Sequence, residues 1–232
     1  MLNLNEANAF AVSVARLGAG LSAAKAEDHS DKQPLVLYDF EACPFCRKVR
    51  EALTELNLNV EVRPCPKSGQ RFRVQLKEQA GKQQFPYLID PNTGWENYES
   101  KTIVDYLFAT YGNGRKPGLL IGGNPLALIN GSFASALRPA RGWKHQSAQV
   151  PQQMLELYSF EASPFCRIVR EKLCELEIPY LLHNVGKKSP SREAFIRRSG
   201  KMMVPYLIDP NTGTEMFESA DIVRYLETTY AH

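Results

Sequence analysis

Nowhere in the 232 residues is there a run of eighteen uncharged apolar side chains, so no segment reads as a membrane-spanning helix. Net charge is scarce: 28 basic residues face 25 acidic ones, and a formal +3 is too little to point to a nucleic acid or a membrane surface as partner. Histidine is rare, at 4 residues, and no H-x-x-x-H or second C-x-x-C accompanies the one C-x-x-C; with Cys65 as a third ligand, a zinc site still lacks a convincing fourth. The 5 cysteines are an odd set, which fits a reducing, cytoplasmic compartment better than a disulfide framework. No basic stretch precedes the Ala-rich segment Ala7 to Leu21, which follows Glu6 and reads as a short helix rather than a secretory signal. Its single arginine, Arg16, is thin support for an organellar transit peptide. With 44% hydrophobic and 23% charged residues, the remainder is an ordinary soluble globular composition.

What the chain does have is itself, twice. Residues 35–58 align without a gap with 155–178, 16 of 24 positions being identical, and residues 86–111 align with 205–230 with 18 of 26 identical. Phe10 to Gly18 loosely echoes Phe133 to Gly142, which suggests a leading helix in each unit. The sequence divides into an N-terminal helix and polar linker (1–33), a first unit (34–112), a connection with a helix over Pro125 to Leu137 (113–153), and a second unit (154–232). The connection is rich in Gly and Pro, and Trp143 is a candidate to pack between the units. Similar surfaces could pair about a pseudo-twofold axis, which would make the chain a covalent dimer; the oligomeric state is left open.

Each unit reads as β-α-β-α-β-β-α. In the first, strands are expected at Leu35–Tyr38, Val60–Arg63, Tyr87–Ile89 and Trp95–Tyr98, with helices at Phe45–Leu56, Phe72–Gln79 and Ser100–Tyr111. Pro91-Asn92-Thr93-Gly94 is a turn between the last two strands. The fold class that follows is α/β, with a mixed four-stranded sheet flanked by helices in each unit.

The chemistry lies at Glu41-Ala42-Cys43-Pro44-Phe45-Cys46-Arg47 and its copy Glu161-Ala162-Ser163-Pro164-Phe165-Cys166-Arg167. A strand, a tight turn, then a helix opening at C-P-x-C is the local pattern of a thioredoxin-like redox site. Cys43 falls at the N-cap and Pro44 at the first helical position, where a missing N–H costs nothing. The free N–H groups and the positive helix end stabilise a thiolate, and Arg47, Lys48 and Arg50 are expected to add charge. Cys43 is thus the candidate nucleophile and Cys46 the resolving thiol; half a zinc site or an inert pair are the plain alternatives. In the second copy Ser163 replaces the nucleophile. Ser163 as a hydrogen-bond donor, Cys166 as a lone thiol, or a degenerate site all remain open there. Cys174 reads as core, and Cys65 as a thiol that lies near the first site.

On these residues each unit resembles the glutathione-binding thioredoxin-like domain of glutaredoxins and of the N-terminus of glutathione S-transferases. The landmarks are [C/S]-P-F-C, a proline opening the third strand (Phe85-Pro86 and Val204-Pro205), and Glu-Ser before I-V-x-Y-L (Glu99-Ser100 and Glu218-Ser219). The resemblance implies cis prolines whose neighbouring backbone pairs with the cysteinyl part of glutathione. It also implies a Glu-Ser pair for the γ-glutamyl end, although Ser100 and Ser219 would serve as helix caps in any case. Lys82 and Lys201 are candidates for the glycyl carboxylate. No transferase-type helical domain follows the first unit, which weighs against conjugation, and no Cys-Gly-Phe-Ser cluster motif is present.

The expectation is a glutathione-dependent thiol–disulfide oxidoreductase acting on disulfide or glutathionylated substrates, with glutathione as cosubstrate. Neither metal, nucleic acid nor membrane takes part in it. The rivals are a conjugating transferase and a non-catalytic glutathione-binding or redox-sensing module.

Overall fold

In the first half, β1 (Leu35–Asp39) and β2 (Val60–Pro64) pair in parallel, as two apolar runs joined by a helix must. That helix, α1 (Pro44–Glu55), is followed by α2 (Phe72–Ala80), which stops at Gly81 in the left-handed conformation (φ 77°). The hairpin β3 (Tyr87–Asp90) and β4 (Trp95–Tyr98) then leads into α3 (Ser100–Tyr111). The second half repeats this as β5 (Leu155–Ser159), α4 (Pro164–Glu175), β6 (Tyr180–Asn184), α5 (Ser191–Ser199), β7 (Tyr206–Asp209), β8 (Thr214–Phe217) and α6 (Ser219–Tyr230). The order is the one the sequence predicts. This computed structural model describes residues 7–11, 19–118, 121 and 141–232; the helix expected at Pro125 to Leu137 and most of the Phe10 to Gly18 echo lie outside them. None of the described helices is long and apolar enough to cross a membrane.

The hairpin turns are fixed by buried acids, which accounts for the repeated Asp-Pro-Asn-Thr-Gly. Asp90 Oδ2 accepts from the Tyr106 and Tyr111 hydroxyls, both at 2.6 Å, and Asp209 Oδ2 accepts from Tyr225 and Tyr230. The tyrosines come from the last helix of each half, so the hairpin and that helix hold each other.

Where the sequence predicts a four-stranded sheet in each unit, the structure joins the two into one eight-stranded sheet, ordered β4-β3-β1-β2-β6-β5-β7-β8. The seam is an antiparallel pairing of β2 with β6, Val60 opposite Leu182, Glu61 opposite Leu181 and Val62 opposite Tyr180. Val60, Val62, Tyr180 and Leu182 are all buried, so apolar burial as well as backbone pairing closes the two edges. A pseudo-twofold axis passes at Glu61–Leu181 and brings α1 and α4 together.

Those helices meet through charge. Arg50 and Arg170 each reach both Glu41 and Glu161: Arg50 to Glu161 at 3.0 Å and Glu41 at 3.5 Å, Arg170 to Glu161 at 2.7 Å and Glu41 at 3.0 Å. Arg47 and Arg167 stand behind them at 3.6 Å and 3.8 Å from Glu161, and Asp39 pairs with Arg50. None of these side chains is more than 5% exposed. The helices also cap across the seam. Glu177, just past α4, accepts from the N–H groups of Gln70, Arg71 and Phe72 at the start of α2, and its counterpart Asn57 bonds Ser189 and Ser191 at the start of α5.

Two short straps cross over as well. Residues 19–24, ahead of the first unit, run along the second: Lys187 N donates to Leu21 O at 2.8 Å and Ala23 N to Lys187 O at 2.9 Å. Residues 141–146, ahead of the second unit, run along the first: Lys67 N donates to Trp143 O at 2.6 Å and His145 N to Lys67 O at 3.1 Å. Gly20 and Gly142 have positive φ (69° and 61°) and lie so close to the charged seam that an added Cβ would sit 2.9 Å from Glu161 Cβ and 2.8 Å from Glu41 Cβ. Gly20, rather than Gly18, is therefore the counterpart of Gly142.

The buried acids set a pH dependence. Burial pushes the Glu161 carboxyl up, but Arg170, Arg50, Arg167 and Arg47 outweigh it and hold the group at about 2. A depressed carboxyl contributes stability that is present above its ordinary 4.5 and is lost as pH falls toward 2, about 3 kcal/mol for this group alone. Burial raises Asp39 to about 6 against the pull of Arg50, and burial with Glu51 nearby raises Glu55 to about 7. Raised carboxyls act the other way, and their stability is lost as pH rises through those values. The urea midpoint is expected to peak at about pH 4–5 and to fall on both sides. A midpoint highest at neutral pH would refute this balance.

Candidate functional site

Cys43 is the N-cap of α1 and Pro44 its first residue, as the spacing predicts. Extended backbone at Cys43 (φ −76°, ψ 121°) turns its side chain back over the helix start, where Sγ accepts from Cys46 N at 3.4 Å. The Cys46 thiol bonded to it holds the Cys43 thiol below its ordinary value despite burial, helped by the Cys46 and Phe45 N–H groups and least by Arg50. Burial, and then Cys43 itself, push Cys46 well above the ordinary range. The pair is thus split, with Cys43 the easier to ionise.

The arginines contribute less than the sequence suggests. Arg47 and Arg50 point into the seam and are engaged by Glu161, Glu41 and Asp39, so the thiolate owes more to hydrogen bonds than to side-chain charge.

The wall beside Cys43 is aromatic. Phe40, whose carbonyl accepts from Cys43 N at 3.0 Å, packs edge-on against Phe85 (centroids 6.0 Å apart) and Trp143 (5.8 Å). The Arg73 guanidinium lies over Phe85 at 4.6 Å and Phe40 at 5.6 Å, and Lys67 lies 5.9 Å from the Trp143 ring. Trp143 thus packs against the first unit on a strap that also bonds the second unit's first helix through Gly142 and Gln146. Phe45, two residues beyond Cys43, is 47% exposed.

Ser163 repeats the cap geometry at α4 (φ −71°, ψ 119°), its Oγ accepting from Cys166 N at 3.2 Å. A hydroxyl that accepts there still has its own hydrogen to give. Cys166 is fully buried. A cleft of about 640 Å³ opens beside Ser163, and Leu21, Phe160, Phe165, Met203 and Val204 are among the residues that line it.

Both third-strand prolines, Pro86 after Phe85 and Pro205 after Val204, follow cis peptide bonds. Glu99 and Glu218 share an uncommon backbone, φ 70° and 67°, of the kind that costs about 1–3 kcal/mol in a residue with a side chain. They, not the serines, occupy the N-cap positions of α3 and α6, which corrects the capping role expected of Ser100 and Ser219. Both serines are buried as the first residues of their helices, and Glu99 is tied to the strand entrance by a hydrogen bond from Gln84. Lys82 and Lys201 lie over Tyr98 (5.9 Å) and Phe217 (4.3 Å).

The other thiols are spent on packing. Cys65 donates to Arg63 O and Cys174 to Gly142 O, both at 3.4 Å, and burial pushes both well above the ordinary range. Among the described residues no cluster of His, Cys, Asp and Glu is suited to a metal ion. Iodoacetamide at neutral pH is expected to modify Cys43 alone in the native chain and all 5 cysteines in urea, read by peptide mass mapping. Labelling of Cys46 or Cys65 at a similar rate would contradict this split.

The strap residues and their partners Lys67 and Lys187 carry no motif of their own. The retention of Phe-Glu-Ala at 40–42 and 160–162, ahead of a motif in which serine replaces the first cysteine, is the one signal that could have found part of this wall.

No curated protein matches the chain significantly. Among solved structures, Leishmania TDR1, described as a unique trimeric glutathione transferase, is similar at 14% identity and a TM-score of 0.30, over 86% of this chain and 68% of that one. The sequence matches the family "Glutathione S-transferase, N-terminal domain" twice, over residues 37–116 and 157–232, which is more than half of its length. Two tandem domains of thioredoxin-like fold, each opening its first helix with [C/S]-P-F-C, make the chain a member of the glutathione S-transferase N-terminal domain family.

Proposed function

We propose that the protein is a glutathione-dependent thiol–disulfide oxidoreductase whose working nucleophile is Cys43. The observation that carries this reading is the split pair: a lowered thiol at a helix N-cap over a buried, raised one. The Cys43 thiolate attacks a sulfur of a disulfide or glutathionylated substrate, the bond between the two substrate sulfurs breaks, and the departing thiolate takes a proton from water. A glutathione thiolate then attacks the sulfur bound to Cys43, the bond from that sulfur to Cys43 breaks, and the Cys43 thiolate is restored as a disulfide containing the glutathione departs. Because Cys46 is fully buried and hard to ionise, glutathione is the better resolving thiol. Phe85, Pro86, Glu99 and Ser100 would hold the tripeptide at the first site, and Val204, Pro205, Glu218 and Ser219 at the second.

One observation favours a second activity. Ser163 has a hydroxyl hydrogen to spare and faces an apolar cleft, as a conjugating site requires. Glutathione-coupled reduction of a small mixed disulfide tests the main reading. Turnover that survives Cys46→Ser supports the glutathione-resolved route, and no turnover in the native chain removes the oxidoreductase assignment.

A further inference from the structure

Three cations border the aromatic wall at Cys43. Lys67 Nζ lies 5.9 Å from the Trp143 ring, the Arg73 guanidinium lies 5.6 Å from the Phe40 ring, and Lys144, next after the indole in the strap, pairs with Lys67 along the backbone. Lys67 and Lys144 are exposed, and none of the three forms an ion pair among the described residues. Arg47 and Arg50, on the helix that Cys43 caps, are by contrast spent on the seam. Two rings of this site are open to solvent, Trp143 being 39% exposed and Phe45 47%. The second half repeats Lys67 and Arg73 as Lys187 and Arg192, but its strap carries Leu21 and Ser22 where the first site has Trp143 and Lys144.

We infer that this rim docks an acidic polypeptide carrying a glutathionylated cysteine. The inference rests on the reading that Cys43 performs thiol–disulfide exchange, and it names the substrate class. Unpaired lysines attract acidic side chains and repel basic ones, while an exposed indole is the kind of anchor that dominates protein interfaces. Cys43 exchanges only with sulfur, which favours a polypeptide disulfide over a nucleic acid or a lipid surface as the occupant. In the reaction Cys43 attacks the glutathionyl sulfur, the bond from that sulfur to the polypeptide cysteine breaks, and the polypeptide leaves as a thiolate that takes a proton from water. A glutathione thiolate then releases Cys43, with glutathione disulfide as the product. Acidic flanks raise the pKa of a thiol and make it a poorer leaving group, and the lysines of the rim offset this while the polypeptide is docked. The strap thus gives the first site a selectivity that the motif shared with the second half does not hold.

Two glutathionylated peptides of equal length and apolar content, one with aspartates and one with lysines flanking the cysteine, test this in the glutathione-coupled assay on the full chain. At an ionic strength of about 0.01 M, where charges act over roughly 30 Å, kcat/KM is expected to be about 10-fold higher for the acidic peptide. The ratio should approach one in about 1 M salt. Lys144→Glu should bring the low-salt ratio down about threefold or more, while turnover of the small mixed disulfide stays unchanged. Trp143→Leu, which installs the residue of the other strap, should lower kcat/KM for both peptides alike by about 10-fold, with thermal melting as the folding check. A ratio near one in the native chain, one that Lys144→Glu leaves as it was, or peptide rates that Trp143→Leu leaves as they were, overturns the inference. An equal loss on the small mixed disulfide in Lys144→Glu also overturns it, since the cation would then serve glutathione itself. No turnover of any of the three substrates removes the oxidoreductase reading, and this one with it.

Discussion

Glu161→Ala is expected to destabilise the fold by about 3–5 kcal/mol, the cost of removing one partner from a buried ion pair. Glu161 is 2% exposed and faces Arg170 at 2.7 Å, Arg50 at 3.0 Å, Arg47 at 3.6 Å and Arg167 at 3.8 Å. Without it, the four buried arginines lose the acid that all four of them approach and keep Glu41 and Asp39 among their remaining countercharges. Side chains this deep are poorly screened by solvent, and the two helices carrying the arginines meet at the β2–β6 seam. Urea denaturation measures the effect. A loss below about 1 kcal/mol would mean that the cluster behaves like a surface pair.

Cys43→Ser is expected to reduce disulfide exchange by about 1000-fold or more while leaving stability almost unchanged. A serine hydroxyl does not ionise in this pH range and forms no mixed disulfide. The second half supplies the structural control, since Ser163 already sits at the same cap with the same backbone and the same bond from the residue three places on, at 3.2 Å against 3.4 Å. In the native chain the rate should climb with pH until Cys43 is fully ionised and should level off below the pH at which an ordinary thiol would, because its thiol is lowered. Wild-type activity in Cys43→Ser would move the chemistry to Ser163 or elsewhere.

Local order was legible from sequence; encounters between distant segments were not. The strand and helix order, the Cys43 cap and the Pro-Asn-Thr-Gly turns follow from spacing within a dozen residues. The direction of Arg47 and Arg50 does not. Three residues apart, they share one helix face, but nothing local says whether that face looks at a thiol or at a second helix. The identity of Glu41 with Glu161, Arg47 with Arg167 and Arg50 with Arg170, kept where Cys43 is not, is a signal that the face serves the seam. Trp143 was visible only as an aromatic residue in a Gly- and Pro-rich connection; its place beside Phe40 depends on a strap that pairs with Lys67, far away in sequence. The joining of two sheets into one was hidden for the same reason.

The axis at Glu61 and Leu181 shows what fusion permits. Were the halves separate and identical, whatever residue stood on the axis would face its own copy, and two glutamates directly opposite would repel. In one chain the facing residues are free to differ, and here glutamate lies against leucine. The same freedom extends to the candidate sites, where cysteine corresponds to serine and tryptophan to leucine across the repeat. A symmetric pair of subunits must change both of its centres at once; this chain can keep one and reassign the other.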